Sequence, residues 1–153
     1  MEARSITRTQ LTPHERPGRV LLVEDSAGGA QLMRIAFGER LPDASLEVFE
    51  DGERALAALD DGRLTEWDLV LLDLNLPGVQ GHEVLAAVRA SGDERIRRMP
   101  VVILTHSQVN DDVLRSYDLG ANSHIAKPHS LDALFDVVET LGRYWLRVVA
   151  LPA

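Results

Sequence analysis

The sequence predicts an α/β fold, a doubly wound parallel sheet of five strands with helices on both faces. Two observations predict it. Five short apolar segments recur from Arg19 onward, and stretches with helical periodicity separate them. Residues typical of helix ends stand at the borders of those stretches. With 153 residues, 45% hydrophobic and 26% charged, the chain has the length and composition of one globular domain.

The apolar segments differ in how fully a sheet can bury them. The predicted strands are residues 20–23, 46–49, 69–72, 101–104 and 123–126. The first, third and fourth are uniformly apolar, as strands buried on both faces must be. Glu47 interrupts the second and the fifth is half polar, so we expect these two at the edges. Right-handed crossovers then favour the strand order 2-1-3-4-5, with a ligand crevice at the carboxyl ends of the strands.

Capping residues mark where the helices should begin and end. The predicted N-caps are Ser26, Asp51, Ser107 and Ser130, and the predicted C-terminal glycines are Gly62 and Gly120. The last helix should run from Leu131 to about Val149, with apolar residues at spacings of three and four.

Charge and cysteine content exclude several classes of protein. The chain has no cysteine, which excludes thiolate metal sites and suits a reducing compartment, so we expect a cytoplasmic protein. Its net charge of -8 is the wrong sign for binding a nucleic-acid backbone. No segment approaches the roughly 20 apolar residues of a membrane span. Residues 1–18 lack the apolar run of a signal peptide, and we expect a flexible tail or an arm on a neighbour.

Polar side chains follow four of the predicted strands at the point where each strand ends. Glu24 and Asp25 follow the first, Asp73 the third, Thr105 the fourth and Lys127 the fifth. Carboxyl ends of parallel strands meet at one edge, so these five groups should converge there. A single ammonium cannot balance three carboxylates, which implies a divalent cation. Oxygen ligands favour magnesium, and manganese would also fit.

At this point the sequence resembles a known family. The motifs are Val-Glu-Asp at 23–25, Leu-Leu-Asp-Leu-Asn-Leu-Pro-Gly at 71–78, Leu-Thr at 104–105 and Ala-Lys-Pro at 126–128. In order and spacing they look like the receiver domain of two-component response regulators, which has a flavodoxin-like fold. The resemblance covers residues 19–141 and leaves no room for an output domain, so a stand-alone receiver is expected. Segments 93–100, 118–123 and 144–152 resemble the subset that serves phytochrome photoreceptor kinases.

The resemblance implies a role for each acidic residue of the crevice. Asp73 would be the phosphoacceptor and would take a phosphoryl group from the phosphohistidine of a sensor histidine kinase. Asp25, Asp73 and the backbone carbonyl of Asn75 would ligate Mg²⁺ directly. Glu24 would act through a metal-bound water or as a longer ligand.

The resemblance also implies how the phosphoryl group would be held and its presence transmitted. Lys127 and Thr105 would each contact a phosphoryl oxygen, and the peptide bond before Pro128 would be cis. His124 occupies the position where the family usually has a Tyr or Phe that moves inward with the threonine. It either follows Thr105 and adds pH dependence, or is only a half-exposed imidazole on an edge strand.

The end of the chain carries more apolar residues than one domain is expected to cover. Residues 142–153 are therefore predicted to extend the last helix as an interface, with Tyr144, Trp145, Val148 and Leu151 as the candidate residues. The resemblance to the phytochrome-linked subset favours a symmetric homodimer through this region. The alternative is that the extension folds back over its own sheet edge.

Two other functions compete with a signalling phosphoacceptor. A magnesium-dependent phosphohydrolase would use Asp73 as a turnover nucleophile, but such enzymes of the haloacid dehalogenase type want an aspartate two residues later, where this chain has Asn75. A phosphorylation-independent scaffold would not need the complete polar set. We therefore expect no enzymatic turnover beyond slow self-dephosphorylation.

Overall fold

The computed structural model describes residues 17–152 and confirms the predicted sheet. The strands are β1 (Arg19–Val23), β2 (Ser45–Phe49), β3 (Leu69–Leu72), β4 (Val101–Thr105) and β5 (Ser123–Ala126). They lie in the order β2-β1-β3-β4-β5, and every neighbouring pair is parallel. The two interrupted strands are the edges, as predicted. Most of the predicted N-terminal tail falls in residues 1–16, outside the described residues.

Helices cover both faces of the sheet and divide the core into two layers. They are α1 (Ala27–Arg40), α2 (Gly52–Asp60), α3 (Gly81–Arg89), α4 (Glu94–Arg97), α5 (Asn110–Asp118) and α6 (Leu131–Arg143), with a 3₁₀ turn at Arg63–Glu66. On one face, Met33 and Phe37 of α1 join Leu134 and Val138 of α6 over the sheet. The other face is covered by α2, α3 and α4. Alternate residues of the central strands fill the two layers, which is why those strands are apolar throughout.

Three of the four predicted N-caps are confirmed. The side chains of Ser26, Asp51 and Ser130 each accept a hydrogen bond from the backbone N–H three residues later. The prediction for Ser107 is wrong, because α5 begins at Asn110 with Val109 as its cap. The Ser107 hydroxyl instead donates to the Asp112 carboxylate and is not available to cap a helix.

Both predicted C-terminal glycines are confirmed. Gly62 has φ 78° and Gly120 has φ 97°, the left-handed conformation that ends a helix at little cost for glycine.

The last helix changes its hydrogen bonding near its end. The α-helical part stops at Arg143, short of the predicted end, and Tyr144–Val148 form a π-helical turn. Val149 N–H donates to the Tyr144 carbonyl at 2.8 Å, a bond across five residues. The wider turn alters which side chains face inward. Trp145 and Leu146 pack on the core layer beneath α1 and α6, while Tyr144 and Val148 are left exposed.

Within residues 17–152, the helices are all too short or too polar to cross a bilayer.

Candidate functional site

Backbone hydrogen bonds place the polar residues at the carboxyl edge of the sheet. The ladder continues one residue past the strands: Glu24 N–H donates to Phe49 O at 2.9 Å and Asp73 N–H to Val23 O at 3.1 Å. On the other side, Lys127 N–H donates to Thr105 O at 2.7 Å. The position of each side chain therefore follows from the register of buried strands.

Asp73 lies at the centre of the site and has three hydrogen-bond partners. Thr105 Oγ1 donates to Asp73 Oδ1 at 2.9 Å, and Asn75 N–H donates to the same oxygen at 3.2 Å. Lys127 Nζ lies 3.1 Å from Asp73 Oδ2 and also donates to Glu24 Oε2. Asp73 is 6% exposed, Glu24 3% and Thr105 fully buried. The structure thus brings together four of the five residues predicted to converge, and Asp25 lies beside them.

Burial and the single ammonium set the charge state of this site. Burial raises the pKa of Glu24 above its ordinary value, and its bond to Lys127 only partly opposes the increase. Burial acts on Asp73 in the same direction, but the Lys127 charge and the hydrogen bonds from its neighbours hold its pKa below the ordinary value. Although burial opposes it, the two carboxylates raise the pKa of Lys127. The site therefore favours the ionised form of Asp73 more than that of Glu24, and Lys127 is the neighbouring cation of both carboxylates.

The carboxylates at this edge can hold a divalent cation. Glu24, Asp25 and Asp73 can each offer one oxygen, and the three oxygens lie within 4.8 Å of one another. Asp25 is exposed and faces solvent, where an ion could keep some of its waters. Hard oxygen donors with partial solvent access are the ligands that Mg²⁺ and Mn²⁺ prefer. Within residues 17–152, Glu24, Asp25 and Asp73 form the one group of three acidic or histidine side chains whose ligand atoms lie this close together.

The peptide bond before Pro128 corrects one prediction. No peptide bond in residues 17–152 is cis, so the expected cis bond between Lys127 and Pro128 is trans. The trans isomer is the one that X–Pro bonds favour. It is compatible with the observed site, because Lys127 keeps both its backbone bond to Thr105 and its contacts to the carboxylates.

Two supporting residues escaped the sequence reasoning. A Cβ at Gly81 would lie 2.1 Å from the Asp73 carbonyl oxygen, so only glycine allows α3 to start this close to the acceptor. Glu53 Oε1 accepts the Val79 N–H at 3.1 Å and tethers the segment after Asp73 to α2. A glycine at the start of a helix does not by itself indicate close packing against a neighbouring backbone. The Glu53 contact joins residues that are 26 apart in the chain, which local sequence patterns do not predict.

The predicted interface residues differ in exposure. Tyr144 is 53% exposed and Val148 is 68% exposed. Trp145 packs on the core and Leu151 is half-buried. Part of the extension therefore covers its own domain, as in the alternative prediction, while Tyr144 and Val148 stay exposed and the interface remains a prediction.

Comparison with known proteins gives the same result along most of the chain. The family model "Response regulator receiver domain" matches residues 20–139. The response regulator Rcp1 of Synechocystis is 39% identical over 141 residues, which are 90% of this chain and 95% of that protein. The probable methanogenesis regulatory protein FilR2 of Methanothrix harundinacea is 45% identical over 139 residues, 86% of each.

Solved structures agree. The phosphorylated cyanobacterial phytochrome response regulator RcpA superimposes with a TM-score of 0.81 at 35% identity, covering 90% of this chain and 99% of that one. The Mn²⁺-bound form of Rcp1 superimposes with a TM-score of 0.78 at 39% identity, covering 90% and 100%. The fold, the matched motifs and these relatives together establish that this chain belongs to the response regulator receiver domain family and is related to phytochrome response regulators.

Proposed function

We propose that this protein is a phosphoacceptor in a two-component phosphorelay, with Asp73 taking a phosphoryl group from a sensor histidine kinase. The observation that carries the proposal is the surroundings of Asp73, whose anionic carboxylate lies between the Lys127 ammonium and the Thr105 hydroxyl. In this reading the protein works in the cytoplasm and signals by phosphorylation-dependent association.

The transfer breaks the P–N bond of a phosphohistidine and forms a P–O bond to a carboxylate oxygen of Asp73. Because the pKa of Asp73 is low, the carboxylate is already the unprotonated nucleophile. Transfer adds negative oxygens beside Lys127 and Thr105, which lie within contact of Asp73. Their bonds to those oxygens would be stronger than those to the free carboxylate, and this difference would favour the phosphorylated conformation.

The proposed cofactor is Mg²⁺, with Mn²⁺ as the alternative. Asp25, Asp73 and the carbonyl of Asn75 would hold it directly, and Glu24 through water or as a longer ligand. The ion would supply charge neutralisation between acceptor and phosphodonor. The cluster of three carboxylate oxygens supports this assignment, as does the Mn²⁺ form of the related Rcp1.

Intact-mass measurement after incubation with acetyl phosphate and Mg²⁺ tests the phosphoacceptor. We expect one alkali-labile adduct of a single phosphoryl group that requires the metal. Asp73→Asn should remove it, whereas the exposed control Asp43→Asn should keep it. An adduct that persists in Asp73→Asn would refute the assignment. Free phosphate released catalytically without an adduct would indicate a phosphohydrolase instead.

The proposed kinase is of phytochrome type, because relatives over nearly the whole chain carry that description. Phosphotransfer from a purified phytochrome-type kinase should be at least about tenfold faster than from an unrelated histidine kinase. Equal rates would remove the support for this partner.

We further propose a homodimer through the end of α6 and the edge strand β5. Exposed Tyr144 lines a groove of about 620 Å³ beside β5, together with Ile125, Val137 and Trp145. Val148 is exposed on the same helical turn as Tyr144. A second copy would cover the apolar side chains of this groove, which the domain itself leaves open. The net charge of -8 argues against nucleic acid as the partner.

Light scattering tests the dimer. Tyr144→Ser with Val148→Ser should weaken association at least about tenfold, because both side chains lie outside the core. The matched control is Leu32→Ser with Ile35→Ser. These two apolar side chains of α1 are also exposed but lie on another helix. A dimer that survives the first pair of substitutions, or is lost with the second, would contradict the proposal.

A further inference from the structure

The chain makes a tight turn at Asn75, directly after the proposed phosphoacceptor. Leu76 N–H donates to the Leu74 carbonyl at 3.1 Å, so Asn75 stands at the centre of a three-residue turn. Leu74 and Leu76 are buried on either side of it, whereas Asn75 is exposed. Within the described residues, the Asn75 carbonyl accepts no backbone hydrogen bond, so its lone pairs are available to a cation.

This turn belongs to the loop of residues 74–80, called the acceptor loop below, whose two ends are closed on each other. Gly81 N–H at the start of α3 donates to the Leu74 carbonyl at 3.0 Å. Asn75 N–H donates to Asp73 Oδ1 at 3.2 Å. These bonds fix the base of the acceptor loop, but the residues between Asn75 and Gly81 need a further contact to hold them in one place.

The first turn of α2 supplies that contact at Val79. Val79 N–H donates to Glu53 Oε1 at 3.1 Å. A Cβ at Gly52 would lie 2.5 Å from the Val79 carbonyl oxygen, so only glycine lets α2 approach the loop this closely. A Cβ at Gly78 would collide with Glu53 Oε1, and Gly78 has φ 68°, a conformation that glycine adopts at little cost. The N–H and the carbonyl of Val79 therefore both lie against α2.

The core in turn fixes the position of this part of α2. Asp51 Oδ1 accepts the Arg54 N–H at 2.8 Å and caps the helix, and Ala55 and Ala58 are buried in the layer that α2 shares with α3. The Glu53 carboxylate therefore extends from a helix that is held in place. Glu53 itself is exposed and lies outside the core, so its replacement should affect the acceptor loop more than the fold.

A carbonyl held in one place matters more for binding Mg²⁺ than for binding Ca²⁺. Mg²⁺ requires near-octahedral geometry with oxygens at about 2.0–2.1 Å, whereas Ca²⁺ accepts oxygens at about 2.3–2.6 Å in flexible arrangements. If the acceptor loop could move, it would present the Asn75 carbonyl less accurately to the smaller ion, and the larger ion would tolerate the change. Residues that orient a ligand without touching the ion can therefore determine which ion binds.

We propose that Glu53 is a positioning residue that, through Val79, holds the Asn75 carbonyl where Mg²⁺ requires it and thereby selects Mg²⁺ over Ca²⁺. The inference rests on the proposed phosphoacceptor function and its cofactor. Glu53 lies outside the group of carboxylates that can ligate the ion, so its effect passes through the acceptor loop.

Titration with Mn²⁺, followed by its displacement with Mg²⁺ or Ca²⁺, tests the selection, because the EPR signal of free Mn²⁺ reports each affinity. In Glu53→Ala, the affinity for Mg²⁺ should fall at least about fivefold and that for Ca²⁺ less than about twofold. Glu53→Gln keeps an oxygen that can accept the Val79 N–H and should retain the wild-type ratio. The control Glu39→Ala removes another exposed carboxylate, on α1, and should also retain it. Amide hydrogen exchange at Val79 should accelerate in Glu53→Ala but not in the other two variants.

Equal losses for Mg²⁺ and Ca²⁺ in a folded Glu53→Ala, or no loss for Mg²⁺, would overturn the proposal, as would a Glu53→Gln protein that behaves like Glu53→Ala. If Glu53→Ala does not fold, Glu53→Asp takes its place, because its shorter side chain no longer reaches Val79. A wild-type protein that binds neither ion would refute the cofactor site, and the selection with it. A wild-type protein that binds Mg²⁺ but forms no adduct with acetyl phosphate would refute the phosphoacceptor instead, and the ratio of affinities would still decide the role of Glu53.

Discussion

Two polar clusters adjoin the same sheet, one at its carboxyl edge and one between β5 and the helices α3 and α5, and they are balanced in different ways. The acidic cluster around Asp73, over β1 and β3, has carboxylates and one lysine. The serine–histidine cluster of Ser107, Ser116, His82 and His124, over β4 and β5, has hydroxyls and imidazoles. Across residues 17–152, every buried side-chain nitrogen and oxygen has a hydrogen-bond partner, so both clusters are satisfied.

The two clusters differ in whether they contain a side chain of fixed charge. Lys127 stays charged at all physiological pH values because the carboxylates raise its pKa, so the acidic cluster keeps a fixed cation. The other cluster has no such fixed cation, since burial lowers the pKa of His82 and the serine hydroxyls can rotate. The acidic cluster therefore keeps a constant positive charge for the proposed phosphoryl transfer, and the serine–histidine cluster can change its hydrogen-bond pattern.

Removal of the fixed cation should have the largest effect. Lys127 is the only lysine of the chain, and Lys127→Met would leave Glu24 and Asp73 buried without a counter-charge. We expect the free energy of unfolding in EDTA to fall by about 3 kcal/mol, at the lower end for a broken buried pair because Glu24 can take up a proton. Chemical denaturation measures it.

The matched control is Arg40→Met, which breaks a partly exposed pair with Glu139 and should cost less than about 1 kcal/mol. If Lys127→Met and Arg40→Met lose the same free energy of unfolding, burial of the Lys127 ion pairs does not determine the stability of the acidic cluster.

Close backbone packing behind Asp73 should give the next largest effect. Gly81→Ala would press a methyl group against the Asp73 carbonyl, which cannot move aside without displacing β3. We expect a loss of about 2 kcal/mol in the free energy of unfolding and slower phosphorylation.

In the control Gly38→Ala, nothing lies within 4 Å of the new methyl group on α1. Stability should therefore rise by about 1 kcal/mol through helix propensity alone. A Gly81→Ala protein as stable as wild type would show that the start of α3 can shift freely.

The serine–histidine cluster should contribute the smallest effect, visible as a pH dependence. Burial and the Arg115 charge lower the pKa of His82 in the folded state, so the unfolded chain binds a proton more readily. The stability that depends on neutral His82 is therefore present above the unfolded pKa of about 6.5 and is lost as pH falls below it.

Denaturation curves between pH 5 and pH 8 measure this effect. His82→Gln should flatten the decrease in stability on the acid side, whereas His106→Gln should keep the wild-type slope. A slope unchanged in His82→Gln would contradict the assignment of a neutral, buried imidazole.

Much of the acidic cluster could be predicted because local patterns specify it. Glu24, Asp73 and Lys127 each stand directly after a strand, and the ends of parallel strands meet. The serine–histidine cluster could not be predicted from the sequence. Ser116 is one of several polar residues on α5, and its partner His82 lies 34 residues away. The N-cap prediction for Ser107 was wrong because its hydroxyl donates a hydrogen bond to the Asp112 carboxylate on α5, and local sequence patterns do not indicate that contact.

The sequence by itself determined the strand order and the meeting of the acidic residues, because periodicity and chain direction are local properties that a parallel sheet converts into position. Only the tertiary structure decided which imidazoles meet Ser116 and which side chains of the turn at Tyr144–Val148 pack on the core. Both outcomes depend on contacts between segments that lie apart in the chain, which local sequence preferences do not encode.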